Sequence, residues 1–220
     1  MVSIGAVILA AGMSKRMGQP KVLMRLNGKT LVHYPIQLAI IHQLQPIVVI
    51  AGKHIDEMKK SLKVTQGIDF VFNPDYESGM ASSLKLGIQT VGAKVDAVIV
   101  FLADQPFIPN EVVQSLIDHY MLHKEEGVRI VRPQYDGVLG HPILFDRSVF
   151  NEFNMINGDQ GGRNVIQNNI KYLKIVSFNN RNWGVDIDTP EEYARLPRGV
   201  PSKFGERWHD DPQRFTHIRD

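Results

Sequence analysis

The 220-residue chain contains no cysteine. Disulfides, thiolate zinc sites and cysteine nucleophiles are therefore excluded, and a reducing compartment is consistent with the absence. No charge of one sign dominates, since 25 Lys and Arg stand against 23 Asp and Glu. A general nucleic-acid coat or an anionic-membrane surface is not expected from that balance. Long hydrophobic runs are missing too, and none reaches the roughly 18 residues of a membrane span. Residues 4–11 are apolar but short, have no basic leader, and continue into charged sequence, unlike a secretory signal. Internal repeats and low-complexity tracts are absent. A soluble cytoplasmic protein is expected, with one large domain or two small ones and enough chain for a sound core.

What is present is an alternation of short β-branched runs with longer helical stretches. Strands are predicted at Ala6–Leu9, Ile47–Ala51, Phe70–Phe72, Ala97–Leu102 and Arg129–Arg132. Helices are predicted at Thr30–Gln43, Asp56–Lys63, Ala81–Val91 and Asn110–Lys124. The continuous apolar runs at 48–50 and 98–101 suit strands buried on both faces. Alternating strand and helix implies parallel strands with right-handed crossovers. After Tyr135 the rhythm breaks. A loop then a strand is expected over Gly137–Phe145, a short helix over Asp146–Phe153 with Asp146 as cap, and a helix start at Arg163–Gln167. Tyr172–Phe178 reads as a strand and Thr189–Arg195 as a last helix, with Thr189 as cap and Pro190 in the first turn. Beyond Leu196 the sequence is polar and reads as a surface extension.

The segment Leu9-Ala10-Ala11-Gly12-Met13-Ser14-Lys15-Arg16-Met17-Gly18-Gln19-Pro20-Lys21 carries the strongest functional signal. Small residues let a ligand approach the backbone, and glycines permit positive φ. Exposed N–H groups together with Lys and Arg collect negative charge. A triphosphate cradle at the carboxyl end of the first strand follows. Neither Gly-x4-Gly-Lys-Ser/Thr nor Gly-x-Gly-x-x-Gly is present, so neither common nucleotide loop applies.

Asp104 follows the most apolar strand, which in a parallel α/β sheet sets it at the carboxyl edge beside that first loop. A carboxylate there can hold magnesium against phosphate oxygens. Asp186 and Asp188 form a second acidic pair at the end of a predicted strand, with Asp188 favoured as a direct ligand and Asp186 as direct or supporting. The Asn73–Ser83 stretch contains Gly79, which can permit close approach of a flat base, and the hydroxyls of Ser82 and Ser83. Simple capping is nearly as good an account of each serine. Gly140-His141-Pro142 and Gly158-Asp159-Gln160-Gly161-Gly162-Arg163 are suited to a second ligand, the arginine at a helix start fitting a phosphate. His119 and His123 share a helical face but lack the glutamate of a zinc-protease helix, and are read as surface residues.

Taken in order, Leu9–Lys21, Asn73–Ser83, Asp104–Pro106, Gly140–Pro142, Gly158–Arg163 and Asp186–Pro190 resemble the MobA-like nucleotidyltransferases, most closely the molybdenum-cofactor cytidylyltransferases of the xanthine dehydrogenase, or purine-catabolism accessory, type. The resemblance implies a three-layer α/β/α, nucleotide-diphospho-sugar-transferase-like fold with a mostly parallel sheet. It implies a transferase domain at 1–196 and a C-terminal extension at 197–220. The implied reaction moves CMP from CTP to the terminal phosphate of molybdenum-molybdopterin, releasing pyrophosphate, with Mg2+ as cofactor. A molybdenum hydroxylase such as xanthine dehydrogenase is the implied recipient, with neither nucleic acid nor membrane as partner. Leu9, Ala10, Ala11, Gly12, Ser14, Arg16, Gly18, Lys21, Asn73, Gly79, Ser82 and Ser83 would bind nucleotide. Lys21, Arg16 and Asp104 would act in catalysis, and Asp104, Asp186 and Asp188 would hold the metal. His141, Asp159, Gly161, Gly162 and Arg163 would face the pterin half. Guanylyl relatives have two glycines where this chain has Ala11-Gly12, which favours CTP over GTP. A guanylyl or sugar/polyol-phosphate nucleotidyltransferase of the same fold stays open as an alternative, as does a cofactor carrier or chaperone.

Overall fold

The computed structural model of the chain describes residues 2–14, 16–62 and 65–196. Lys15, the predicted helix end at Lys63, and the expected 197–220 extension lie outside the described residues.

The elements run β1 (Ile4–Ala10), β2 (Arg25–Leu26), β3 (Lys29–Thr30), α1 (His33–Ile41), β4 (Ile47–Ala51), α2 (Ile55–Ser61), β5 (Ile68–Phe72), α3 (Met80–Val91), β6 (Ala97–Leu102), α4 (Asn110–His123), β7 (Ile130–Tyr135), β8 (Val138–Leu139), β9 (Ile143–Asp146), α5 (Arg163–Asn168), β10 (Leu173–Phe178) and α6 (Pro190–Ala194). The main sheet has the order β10-β7-β9-β6-β1-β4-β5, with β8 paired to β7. Strands β6, β1, β4 and β5 pair in parallel, as does β10 with β7. Only β9 and β8 run the other way, so the sheet is mostly parallel as expected.

Alternation sends side chains to two cores. Ile8, Val49, Ile99 and Phe101 pack beneath α1, α2 and α4. Val7, Val48, Val98 and Val100 pack against α3, α5 and the 3-10 segment 147–155. The result is three layers, helix on sheet on helix. A third, smaller cluster joins Met17, Met24, Leu26 and Leu31 to Ile187 and Leu196. This cluster ties the loop after β1 to the acidic segment near the other end of the chain. Burying one such side chain is worth about 1.5–3 kcal/mol, enough to fix the two segments relative to each other.

Several boundaries differ from expectation. The predicted helix at 30–43 is shortened to α1 because Asn27-Gly28, both at positive φ, closes a β2–β3 hairpin. Asp136-Gly137 closes a second hairpin, β7–β8, in the same way, where a loop was expected. The stretch from Asp146 is 3-10 rather than α, although Asp146 does cap it, accepting from the Ser148 N–H at 2.8 Å. Asp186 and Asp188 do not end a strand. They sit in an irregular segment between the 3-10 turn Arg181–Gly184 and α6. That segment is held by the Ile187 N–H donating to the Asp104 carbonyl at 3.1 Å, and by a Thr189–Glu192 capping box. No helix among the described residues is long and apolar enough to cross a membrane.

Candidate active site

Because β1, β4, β5 and β6 are parallel, their carboxyl ends share one edge, and the loops that leave them converge there. From β1 the chain enters the 10–20 loop. Ser14 adopts φ 52°, and its Oγ accepts the Lys21 backbone N–H at 3.0 Å. That bond helps place the lysine at the start of the short 3-10 turn Lys21–Leu23. From β6 the chain enters Ala103-Asp104-Gln105, with the Ala103 N–H donating to the Leu9 carbonyl at 3.1 Å. Loop and acid are thereby brought side by side.

Lys21 Nζ lies 2.6 Å from Asp104 Oδ2 and 2.7 Å from Asp188 Oδ1. Arg16 also reaches Asp188, at 3.0 Å, from a far more exposed position. Burial works against the Lys21 charge, but the charges and hydrogen bonds of Asp104 and Asp188 outweigh it and hold its pKa above the ordinary lysine value. For Asp188, burial raises the pKa, yet Lys21 and then Arg16 bring it below the usual carboxylate range. Asp186 behaves oppositely. Burial first, then the Asp104 charge, pushes its pKa up to about 6, against a hydrogen bond received from Gln105 Nε2 at 2.7 Å. Asp104 Oδ1 is buried and has no hydrogen-bond partner among the described residues.

These oxygens suit a hard divalent cation, and the orphaned Asp104 Oδ1 is a lone pair left for one. No group of three His, Asp or Glu side chains stands as a ready-made metal cluster among the described residues. The Lys21 ammonium occupies the space between Asp104 and Asp188 instead.

Beside this charge cluster is a cleft of about 320 Å³, lined by residues 10–14 and 18–20, and across from them by Gly52, Lys53, His54 and Tyr76. Ala10, Ala11, Gly12, Ser14 and Gly18 thus face it as expected, and a Cβ at Gly12 or Gly18 would meet open space. Leu9, still within β1, does not line it. Gly52, Lys53 and His54, which follow β4, were not among the expected site residues, although the buried run at 47–51 was recognised. Its carboxyl end had to meet the same edge, which was the available signal.

Asn73 and Gly79, in the loop after β5, and Ser82 and Ser83, in the first turn of α3, gather together but do not line the cleft. Asn73 Nδ2 donates to Ser82 Oγ and Ser83 Oγ, both at 2.9 Å. Ser82 Oγ in turn lies 2.9 Å from the Asp75 and Gly79 carbonyls, so these hydroxyls brace the turn. The space left by the missing Gly79 side chain is filled by Gly158 and Asp159, not open for a base. Asp159 Oδ1 accepts the Met80 N–H at 3.2 Å, and the Gly158 carbonyl accepts the Ala81 N–H at 2.9 Å. Gly161 packs on the Met80 sulfur. The two loops expected to serve different ligands are therefore one wall. Arg163 opens α5 and is exposed. His141 is separate from that wall, near Arg132. Burial and the Arg132 charge depress its pKa to about 4, so it is neutral at physiological pH.

Comparison with known proteins identifies the family of the chain. The chain is 26% identical to the nicotine blue oxidoreductase of Paenarthrobacter nicotinovorans, with 88% of this chain and 96% of the relative covered. It is 27% identical to the purine catabolism protein PucB of Bacillus subtilis, with the same coverage. It is 24% identical to the molybdenum cofactor cytidylyltransferase of Escherichia coli, covering 88% and 95%. Among solved structures, Rv0371c of Mycobacterium tuberculosis superposes with a TM-score of 0.77 at 25% identity, covering 88% of this chain and 96% of the other. A second structure of Rv0371c, at 23% identity and a TM-score of 0.73 over 88% and 97% of the two chains, is a complex with manganese. Residues 6–174 match the MobA-like NTP transferase domain, and the chain belongs to that family of nucleotidyltransferases.

Proposed function

We propose that the protein transfers CMP from CTP to the terminal phosphate of a molybdenum-molybdopterin cofactor, forming the cytosine dinucleotide and pyrophosphate. Relatives of similar identity bear the names of a cytidylyltransferase and of an oxidoreductase, so names alone do not decide the chemistry. One observation carries the transferase reading. A lysine at the end of a glycine loop bridges two aspartates, one of which keeps a buried oxygen without a partner. Opposed charges of this kind are what a polyphosphate and its counter-ion require.

In this reading the triphosphate lies along Gly12, Ser14, Arg16 and Gly18, with the base in the cleft beside Ala11 and Tyr76. Lys21 turns to the α-phosphate, and Arg16 to the departing pyrophosphate. Asp104 and Asp188 hold a divalent cation, magnesium or manganese, with Asp186 behind them. The cation would neutralise phosphate charge and orient the leaving group. The nucleophile is a phosphate monoester, already largely ionised at neutral pH because its second pKa is about 6. No side chain needs to act as a strong base, and catalysis is positioning and charge neutralisation. His141, Asp159 and Arg163 face the pterin substrate, and the product would pass to a molybdenum hydroxylase of the xanthine dehydrogenase type. Incubation with the molybdopterin cofactor and CTP, GTP, ATP or UTP in turn, with pyrophosphate and dinucleotide measured, tests the assignment. Product from CTP is expected, and preference for another nucleotide would reassign the base.

A further inference from the structure

We propose that Arg132 anchors the anionic phosphate of the second substrate, in a subsite that it forms with His141 on the α3/α5 face of the sheet. This rests on the transfer reading above and adds a residue that no sequence motif singled out.

Val131 packs in the core beneath α4 and Ile130 in the core against α3 and α5, so alternation sends Arg132 to the α3/α5 side. Gly162 packs on Phe145, the β9 partner of Ile130, so α5 with Arg163 starts over that same face. The β6–β9 pairing of Val100 with Ile143 sets His141 near the end of β6, the strand that leads to Asp104. Arg132 and His141 thus lie toward the same edge of the sheet as the charge cluster.

Arg132 is half-buried, and Nε donates to the Gly140 carbonyl at 3.0 Å. No carboxylate comes within 4.0 Å of it among the described residues. Burial without a compensating anion holds its pKa below the ordinary arginine value. A guanidinium in such a place is costly unless an anion meets it, and its planar fork matches two phosphate oxygens. The neighbouring neutral imidazole adds a donor or acceptor without a competing charge. The bond to Gly140 uses only Nε and leaves the fork of the guanidinium for a ligand.

The test uses the full chain with its nucleotide loop filled by a non-hydrolysable CTP analogue and magnesium, and inorganic phosphate as probe. Calorimetry should show one saturable phosphate site, with a shift of one arginine Nε–H signal in NMR. In Arg132→Gln the dissociation constant should rise about ten-fold or more, as expected for losing a charge-assisted pair. KM for the molybdopterin substrate should rise in parallel, while the CTP-analogue affinity stays within about two-fold. Arg132→Lys keeps the charge without the fork and should weaken phosphate by about three-fold or more. If Arg132→Gln fails to fold, the lysine variant decides. No saturable phosphate site in the wild type, or equal affinity in wild type and variant, overturns the assignment. Failure to form any dinucleotide would sink the transfer reading, whereas the phosphate titration decides Arg132 independently.

Discussion

Replacing Lys21 by methionine keeps the bulk of the stem and removes the ammonium. The site then holds Asp104, Asp186 and Asp188 with only Arg16 to offset them. A charge-assisted hydrogen bond contributes about 1.5–3 kcal/mol when well shielded. Here the Lys21, Asp104 and Asp188 side chains are 13%, 21% and 33% exposed, so solvent screening reduces each bond to about 1 kcal/mol. A divalent ion using both aspartates in the nucleotide-free protein must displace that ammonium and give up about 2 kcal/mol. The Lys21→Met variant should therefore bind Mn2+ more tightly without nucleotide, by about ten- to thirty-fold. Its turnover should nonetheless fall by about a hundred-fold or more, because the Lys21 ammonium no longer meets the developing charge at the α-phosphate. Titration of free Mn2+ by electron paramagnetic resonance, beside steady-state kinetics on the same preparation, measures both. The thermal midpoint checks that the variant is folded, and it should rise more on adding Mn2+ than the wild type does. Equal Mn2+ affinity in the two proteins would refute the competition between lysine and metal. An unchanged kcat with a raised KM would move Lys21 from transition-state to ground-state binding.

Asp104→Asn should retain its fold, lose Mn2+ affinity and cut turnover by orders of magnitude, and near-normal turnover would remove Asp104 from the metal site. His141→Gln tests a pH effect. The folded pKa of about 4 is below the ordinary histidine value, so the unfolded chain binds the extra proton between about pH 6.5 and 4. Wild-type stability should fall over that window by about 1–2 kcal/mol more than the variant's, read from urea unfolding at pH 7.5 and 5, and parallel losses would contradict it. Ala11→Gly should relax selection against GTP by about 1–3 kcal/mol at most, and unchanged CTP and GTP rates would shift base choice toward Lys53, His54 or Tyr76.

The sheet was legible because its central strands are continuous apolar runs. Those runs alone place Asp104 and the 10–20 loop on one edge. The hairpin tips at Asn27-Gly28 and Asp136-Gly137 were also written in the sequence, yet β2, β3 and β8 beside them are only two residues long and show no period. Asp186 and Asp188 read as the end of a strand, whereas the structure sets them in an irregular segment before α6. Their placement comes from Ile187 in the small cluster with Met17, a contact across most of the chain that local pattern does not record. Arg132 was read only as a strand residue, because its unpaired charge exists only once β7 is half buried.

The loop that carries His141 and the segment that carries Asp186 share a physical connection through Tyr135. Its ring lies between Gly140 and Gly184, and a Cβ at either glycine would overlap it. The Tyr135 hydroxyl donates to the His141 carbonyl at 2.8 Å. On one side, therefore, the ring sets the loop that carries His141 and meets Arg132. On the other it bears on Gly184, two residues before Asp186, whose carboxylate is held by Gln105 next to Asp104. Glycine at these positions is a requirement of close approach, since any side chain would push the ring out and separate the loops. A nucleotidyl transfer needs its nucleophile and its α-phosphate aligned to a fraction of an ångström. For the proposed transfer, one buried aromatic clamped between the loop that carries His141 and the acidic segment would give that alignment a rigid basis.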